Sequence, residues 1–159
     1  MIRSATPDDQ PAIWDILRPV FRAGETYAID PEISRDAALS HWMGGDHRVF
    51  VAERDARIVG TFYIRPNQQG GGAHVANCGF VTSPKARGRG VAREMLAHAL
   101  ETARQMRFCA MQFNFVVETN ETALYLWRQA GFSEVGRLPR AFRHPTRGFV
   151  DALVLYKTL

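Results

Sequence analysis

"VTSPKARGRGVAREML", residues 81–96, joins a β-like run to a helical pattern through Arg87-Gly88-Arg89-Gly90. A strand that feeds a helix through such a turn leaves the first helical N–H groups without intrahelical partners. The helix dipole adds roughly half a positive charge there, which makes the turn a ready anion site. Gly88 and Gly90 let the backbone approach an oxyanion with no Cβ in the way. Arg87, Arg89 and Arg93 add charge. Taken alone, the four residues describe a flexible basic loop ahead of a surface helix equally well. No Gly-Lys-Ser/Thr follows, which disfavours a nucleoside-triphosphatase P-loop. The G-x-G-x-x-G spacing of a dinucleotide site is missing too.

Outward from this turn, the pattern alternates between periods. Residues 2–6 read as a short strand, and Thr6-Pro7-Asp8-Asp9 as a helix start with Pro at the first position. Ile13, Trp14, Ile16, Leu17 and Phe21 continue that helix, which Pro19 is expected to kink or end. Residues 24–32 form a loop and 34–43 a second short helix. "HRVFVAER" and "RIVGTFYIRP" are β runs separated by Asp55-Ala56, a hairpin signal. "QQGGG" is a flexible tip, and "HVANCGFVT" another strand. Val91, Met95, Leu96, Ala99, Leu100 and Ala103 mark an apolar helix face. "CAMQFNFVVE" is a strand, and "NETALYLWRQAGF" a helix closed by Gly131. Two further β runs, 133–138 and 149–157, flank a Pro/Arg-rich connection. The order is β-α-α-β-β-β-α-β-α-β-β, without repeats or linkers, and a mixed α/β sheet accommodates it.

At 159 residues the chain is one domain's worth, read as a single domain over 1–159. No apolar stretch approaches the length of a membrane span, and no signal-peptide core opens the chain, so a cytoplasmic protein without a membrane partner is expected. Cys78 and Cys109 are too few, and too isolated from other ligand-type residues, for a metal site or a disulfide scaffold. Both are expected as reduced, packed thiols, and no metal is expected. The net charge of +4 comes with eighteen arginines and two lysines. That balance favours an anionic partner. The basic residues are dense only at 85–93 and 137–147, which points to a compact anionic ligand. No helix-turn-helix or stacking-aromatic pattern supports nucleic acid as a partner.

Arg87-x-x-Gly90-x-Ala92, after a strand and opening a helix, resembles the R/Q-x-x-G-x-G/A signature of the GNAT (Gcn5-related) N-acetyltransferases. A second signature lies in register with it: Asn120, Ala123 and Leu126 through Gly131-Phe132. The element order resembles the family's along nearly the whole chain. The resemblance implies the GNAT fold, a mixed central sheet of about seven strands flanked by about four helices. It also implies acetyl-CoA as co-substrate, its pyrophosphate on the turn formed by Arg87, Gly88, Arg89, Gly90, Val91, Ala92 and Arg93. Phe80, Val81 and Thr82 would pair their backbone with the pantetheine arm, and Asn120 would hydrogen-bond it. The reaction implied is direct acetyl transfer to the amine of a small-molecule acceptor.

A narrower resemblance covers residues 60–132, where "GTFYIRPN", "NCGFVTSPKARGRGVAREML" and "FNFVVETNETALYLWRQAGF" are similar to the acetyltransferases of azetidine-2-carboxylate and proline analogues. It implies catalytic and substrate-binding roles for Asn77 and Asn114, and an acceptor that is a small amino acid or analogue. Independently, each asparagine interrupts an apolar strand, and a buried amide needs partners for both donor and acceptor. An internally satisfied strand asparagine remains the alternative for each. In "GETYAI", the loop that lines the acceptor site in this family, Tyr27 reads as a substrate contact or as plain loop packing.

The chain departs from the wider family four residues before Gly131. Many relatives hold there a tyrosine that protonates the leaving thiolate, and this chain has Trp127, whose indole is no acid near neutral pH. Tyr125 lies about 200° round the helix from it and is expected to face elsewhere. His74 and Glu118 read as bases acting through water or as surface residues, the second being expected. Catalysis by positioning and electrostatics is therefore expected, with N–H groups near Val81 polarising the carbonyl. The 137–147 segment reads as a solvated basic loop, a hold on an acidic acceptor, or the contact of a homodimer. Acetylation of a protein or peptide, and a non-catalytic acyl-CoA-binding module, are the alternative functions.

Overall fold

The computed structural model describes residues 1–159. Its sheet has seven strands: β1 (Ile2–Ser4), β2 (Arg48–Arg54), β3 (Arg57–Pro66), β4 (Val75–Thr82), β5 (Ala110–Val117), β6 (Ser133–His144) and β7 (Gly148–Thr158). They lie in the order β1-β2-β3-β4-β5-β7-β6, antiparallel throughout except for β4 and β5. Four helices cover it: α1 (Gln10–Ala23), α2 (Arg35–Met43), α3 (Val91–Gln105) and α4 (Glu121–Gln129). Strand alternation sorts side chains between two apolar layers. Phe50, Phe62, Ile64, Ala76, Cys78 and Met111 pack with α3 and α4. Val51, Tyr63 and Val81 pack on the other face with α1 and α2.

Local chemistry accounts for the ends of these elements. The β2–β3 hairpin turns through Asp55 and Ala56, at φ 50° and 57°, the left-handed pair of a tight hairpin. Ser34 caps α2 by accepting from the Ala37 N–H at 3.2 Å. Buried Trp42 anchors α2 to the sheet: its Nε1 donates to Thr61 Oγ1 at 3.1 Å, and that hydroxyl donates to the Phe50 carbonyl at 2.9 Å. The Thr6 start is a capping box closed by Asp9 over a single 3₁₀ turn, residues 7–9, that runs into α1.

Three expectations need correction. Pro19 does not end α1, which continues to Ala23 and stops at Gly24 with φ 64°. Pro19 and Asp15, the residue whose carbonyl Pro19 leaves without its helical N–H, both lie on the exposed face, where that carbonyl is open to water. The 137–147 segment is mostly strand: β6 runs to His144, bulged where Leu138 pairs with Ala152 and Phe142 with Val150. Of its guanidinium groups only that of Arg137 meets carboxylates, reaching Glu118, Glu134 and Asp151 at 3.0–3.1 Å. Cys78 is buried and packed on Met111, but Cys109 is exposed.

Asp9 accepts from both terminal nitrogens of Arg3, at 2.8 and 2.9 Å, and from the Thr6 N–H at 2.7 Å. The Arg3 bonds, then those from Thr6, hold its carboxyl down to about 2 against the opposing effect of burial. A carboxyl lowered on folding stabilises the fold above its unfolded value, near 3.8, and that contribution disappears as pH falls towards about 2. Asp9→Asn is therefore expected to be less stable than the parent in urea at pH 7. The two midpoints should converge between pH 4 and pH 2 as the parent loses its advantage. A gap that stays constant down to pH 2 would show that the pair contributes nothing.

Candidate active site

β4 and β5 pair over two positions only, Val75 with Ala110 and Ala76 with Met111. Beyond them the strands run on to Thr82 and Val117 without pairing to each other. An amide side chain stands at the point of separation. Asn77 Nδ2 donates to the carbonyl of Gln112, the first β5 residue past the last pair, at 3.0 Å. Asn77 Oδ1 accepts from Arg65 Nε at 3.2 Å. β5 is bulged at the same level: Phe113 faces Leu155 and Val116 faces Leu153, so Asn114 and Phe115 together span Val154.

Alternation along β4 decides which main-chain groups face the gap. The Ser83 N–H donates to the Val59 carbonyl at 2.8 Å, so Val81, two residues earlier, also turns its main chain to β3. Phe80 and Thr82 turn theirs to the gap. The donors near Val81 are thus its two neighbours, and Val81 itself contributes a side chain buried beneath α1 and α2. The Tyr27 hydroxyl holds the open main chain of Phe80, accepting from its N–H at 3.0 Å and donating to its carbonyl at 2.9 Å. Its ring packs edge-on to Phe21 and Trp42, and burial pushes the phenol well above the ordinary tyrosine range.

The glycine turn follows β4 and opens α3, while Asn120 follows β5 and opens α4, so both helices start at the splayed ends of these strands. Gly88 and Gly90 have φ of 73° and 78°, where side chains are strained, and the space an added Cβ would enter is open. The first bond of α3 is Glu94 N–H to the Gly90 carbonyl at 3.1 Å, leaving the N–H groups of residues 91–93 without helical partners. Arg87, Arg89 and Arg93 are exposed, and none pairs with a carboxylate. Asn120 caps α4 through Oδ1, accepting from the Ala123 N–H at 3.4 Å.

A cavity of about 400 Å³ fills the gap. Tyr27 and Ile29 close it from the α1–α2 loop, Tyr63 and Arg65 from β3, and Phe113 and Trp127 from the far side. Its lining contains no Asp or Glu. Asn77 is buried as expected; Asn114 is not. Asn114 lies exposed in the cavity wall because the bulge turns it out of the strand pair. It donates through Nδ2 to Asn67 Oδ1 at 2.7 Å and accepts from Gln112 Nε2 at 2.9 Å. Trp127 is buried against Phe113 and Phe80, with ring centroids 4.8 and 5.2 Å away. Tyr125 is 62% exposed and faces a separate groove of about 480 Å³ that shares no lining residue with the cavity. His74 is exposed, and Glu118 is engaged with Arg137.

Sequence reasoning missed Arg65, Asn67 and His41. Arg65 and Asn67 follow Tyr63 at two-residue steps, so strand alternation carried a signal for the first two. His41, on a short helix of weak periodicity, gave none. It lies at the cavity and is held below the ordinary histidine range by burial first, then by His47 and Arg65.

The model of the acetyltransferase (GNAT) family matches residues 11–132. The chain is 35% identical to the N-acetyltransferase aca1 of Schizosaccharomyces pombe over 148 residues, 82% of this chain and 71% of that protein. It is similar to a solved GCN5-related N-acetyltransferase from Kribbella flavida, at 42% identity and a TM-score of 0.95, covering 100% of this chain and 97% of that one. It shares its fold with a Sinorhizobium meliloti phosphinothricin acetyltransferase solved in complex with acetyl-CoA, at 20% identity, TM-score 0.87, and coverage of 100% and 88%.

Loss of the Tyr27 hydroxyl removes the partner of both main-chain groups of Phe80. Tyr27→Phe is expected to lower the stability of the free protein by about 1–3 kcal/mol. It should also speed hydrogen exchange at the Phe80 amide ahead of its β4 neighbours, as read by NMR. Unchanged exchange at Phe80 would mean that the bond carries no weight in solution.

Proposed function

The chain belongs to the acetyltransferase (GNAT) family, and on that premise we propose that it acetylates the amine of a small amino acid or amino-acid analogue. It is an N-acetyltransferase with acetyl-CoA as co-substrate. The observation that carries the acceptor reading is the cavity itself: bordered by the α1–α2 loop, lined by amides and aromatic rings, and free of carboxylates. An open acidic groove suited to a basic peptide is not what these walls offer. No helix is long and apolar enough to cross a membrane. A cytoplasmic enzyme acting on a small-molecule amine belongs to the same reading.

The residues fit the co-substrate. The strained glycine turn with open space above it, the partnerless N–H groups of residues 91–93 and three unpaired arginines suit a diphosphate. The edge of β4 at Phe80 and Thr82, without a strand partner and held at Phe80 by the Tyr27 hydroxyl, suits an arm with amide groups, which would add to it as a strand does once Tyr27 lets go. Asn120 keeps its Nδ2 available beside them. Bound acetyl-CoA supplies an acetyl group activated as a thioester. The chain supplies geometry and electrostatics. The Phe80 N–H faces the gap, where a donor can stabilise charge developing on a carbonyl oxygen. Tyr27 covers that donor in the free protein and has to release it. His41, held below the ordinary histidine range by burial, His47 and Arg65, lines the cavity where the acceptor ammonium must lose a proton before attack, and would take that proton. Asn114 contacts the acceptor from the exposed cavity wall. Asn77, whose amide is engaged by Arg65 and Gln112, positions those groups.

An acceptor screen with acetyl-CoA and free-thiol detection tests the reading. Transfer to free amino acids or proline analogues is expected, and activity confined to peptides would refute it. Gly90→Val should weaken acetyl-CoA binding in calorimetry at least tenfold while the fold survives, because the turn needs its left-handed conformation. Unchanged affinity in that folded variant would remove the turn from the cofactor site. Asn77→Ala and Asn114→Asp should each lower acceptor kcat/KM by about ten- to hundredfold with little change in acetyl-CoA affinity. Near-parental transfer in both would make the two asparagines structural.

A further inference from the structure

Three arginines are half-buried in this protein: Arg3, Arg54 and Arg65. Arg3 pairs with Asp9 and Glu53, and Arg54 with Glu94. Arg65 alone has no carboxylate within 4 Å. Its terminal nitrogens have no partner within the chain and stay open to solvent, so an anion from outside can reach them directly. Arg65 lines the cavity, and no acid elsewhere in the lining compensates it. Only one of its donors is engaged, Nε with Asn77 Oδ1 at 3.2 Å. That bond fixes the plane of the group and leaves the terminal nitrogens as a free fork, the geometry that matches a carboxylate. Its field also reaches His41, one of the causes of that residue's depression, so cation and proton acceptor serve the same space.

We propose that Arg65 is the specificity-determining residue of the acceptor site, binding the free carboxylate of an α-amino or α-imino acid through its two terminal nitrogens. This rests on the small-acceptor reading above and narrows it. Amines without a carboxylate meet a cation with no compensating acid, and peptides lack the carboxylate beside their amine. Asn77 is the positioning residue that aims the fork.

The experiment compares each free amino acid, L-proline included, with its own primary carboxamide as acceptors for the parent enzyme. The free acid should be used at least tenfold better in kcat/KM, mostly through KM. Arg65→Gln should raise KM for the acid about ten- to hundredfold and leave KM for the carboxamide within about twofold. Arg65→Lys should recover part of the loss. Acetyl-CoA affinity should stay at the parental value in both variants. Equal use of acid and carboxamide by the parent enzyme overturns the Arg65 assignment while leaving the small-acceptor reading standing. So does an Arg65→Gln effect of equal size on both acceptors. Absence of transfer to every free amino acid overturns both. The parental comparison decides the matter even if Arg65→Gln does not fold.

Discussion

The hydrogen-bond ladder between β4 and β5 stops after two pairs, and most of what this molecule offers chemically depends on that stop. A sheet pays a penalty for each main-chain N–H and carbonyl left without a partner, so a parting of strands inside it has to be supported. Here the support is particular. The Asn77 amide takes the Gln112 carbonyl, the β5 bulge absorbs the change in register against β7, and the Tyr27 hydroxyl meets both open groups of Phe80. The gap is held open by polar bonds from side chains and lined by aromatic packing.

Parallel pairing gives the gap its use. Because β4 and β5 run in the same direction, their diverging ends lead into α3 and α4, and two helix N-termini meet at one edge. The first carries the glycine turn and three arginines without carboxylate partners, features that suit a phosphate, and Asn120 caps the second. On the opposite face, the loop between α1 and α2 borders an open cavity whose only full cation is Arg65. One opening in one sheet thus brings together a glycine turn with free N–H groups, the unpaired main chain of β4 and a cavity with a positive bias.

Catalysis in such a site leans on placement. Trp127 packs against Phe80 and Phe113 in the cavity wall and offers no acidic proton there. Burial pushes the Cys78 thiol and the Tyr27 and Tyr63 phenols up, so none of them ionises near neutrality. His41 remains as the one lining group suited to exchange a proton there.

Much of this was legible in the chain. Period and caps determine the helices and strands: Ser34, Asn120 and the Thr6–Asp9 box start elements by bonds within a few residues, and left-handed Asp55-Ala56 turns the hairpin. The glycine-arginine turn and the apolar face of α3 are legible too, because both depend on neighbours in sequence. Tyr125 on the outer face of α4 follows from the helical period alone. What tertiary structure decided are the relations between distant residues. The splay of β4 from β5, the exposure of Asn114 at a bulge, the bond from Tyr27 to Phe80 and the unpaired state of Arg65 each join segments tens of residues apart. Pattern reports which face a side chain takes; it does not report which partner will be waiting there, and for Arg65 the absence of a partner is the property that matters.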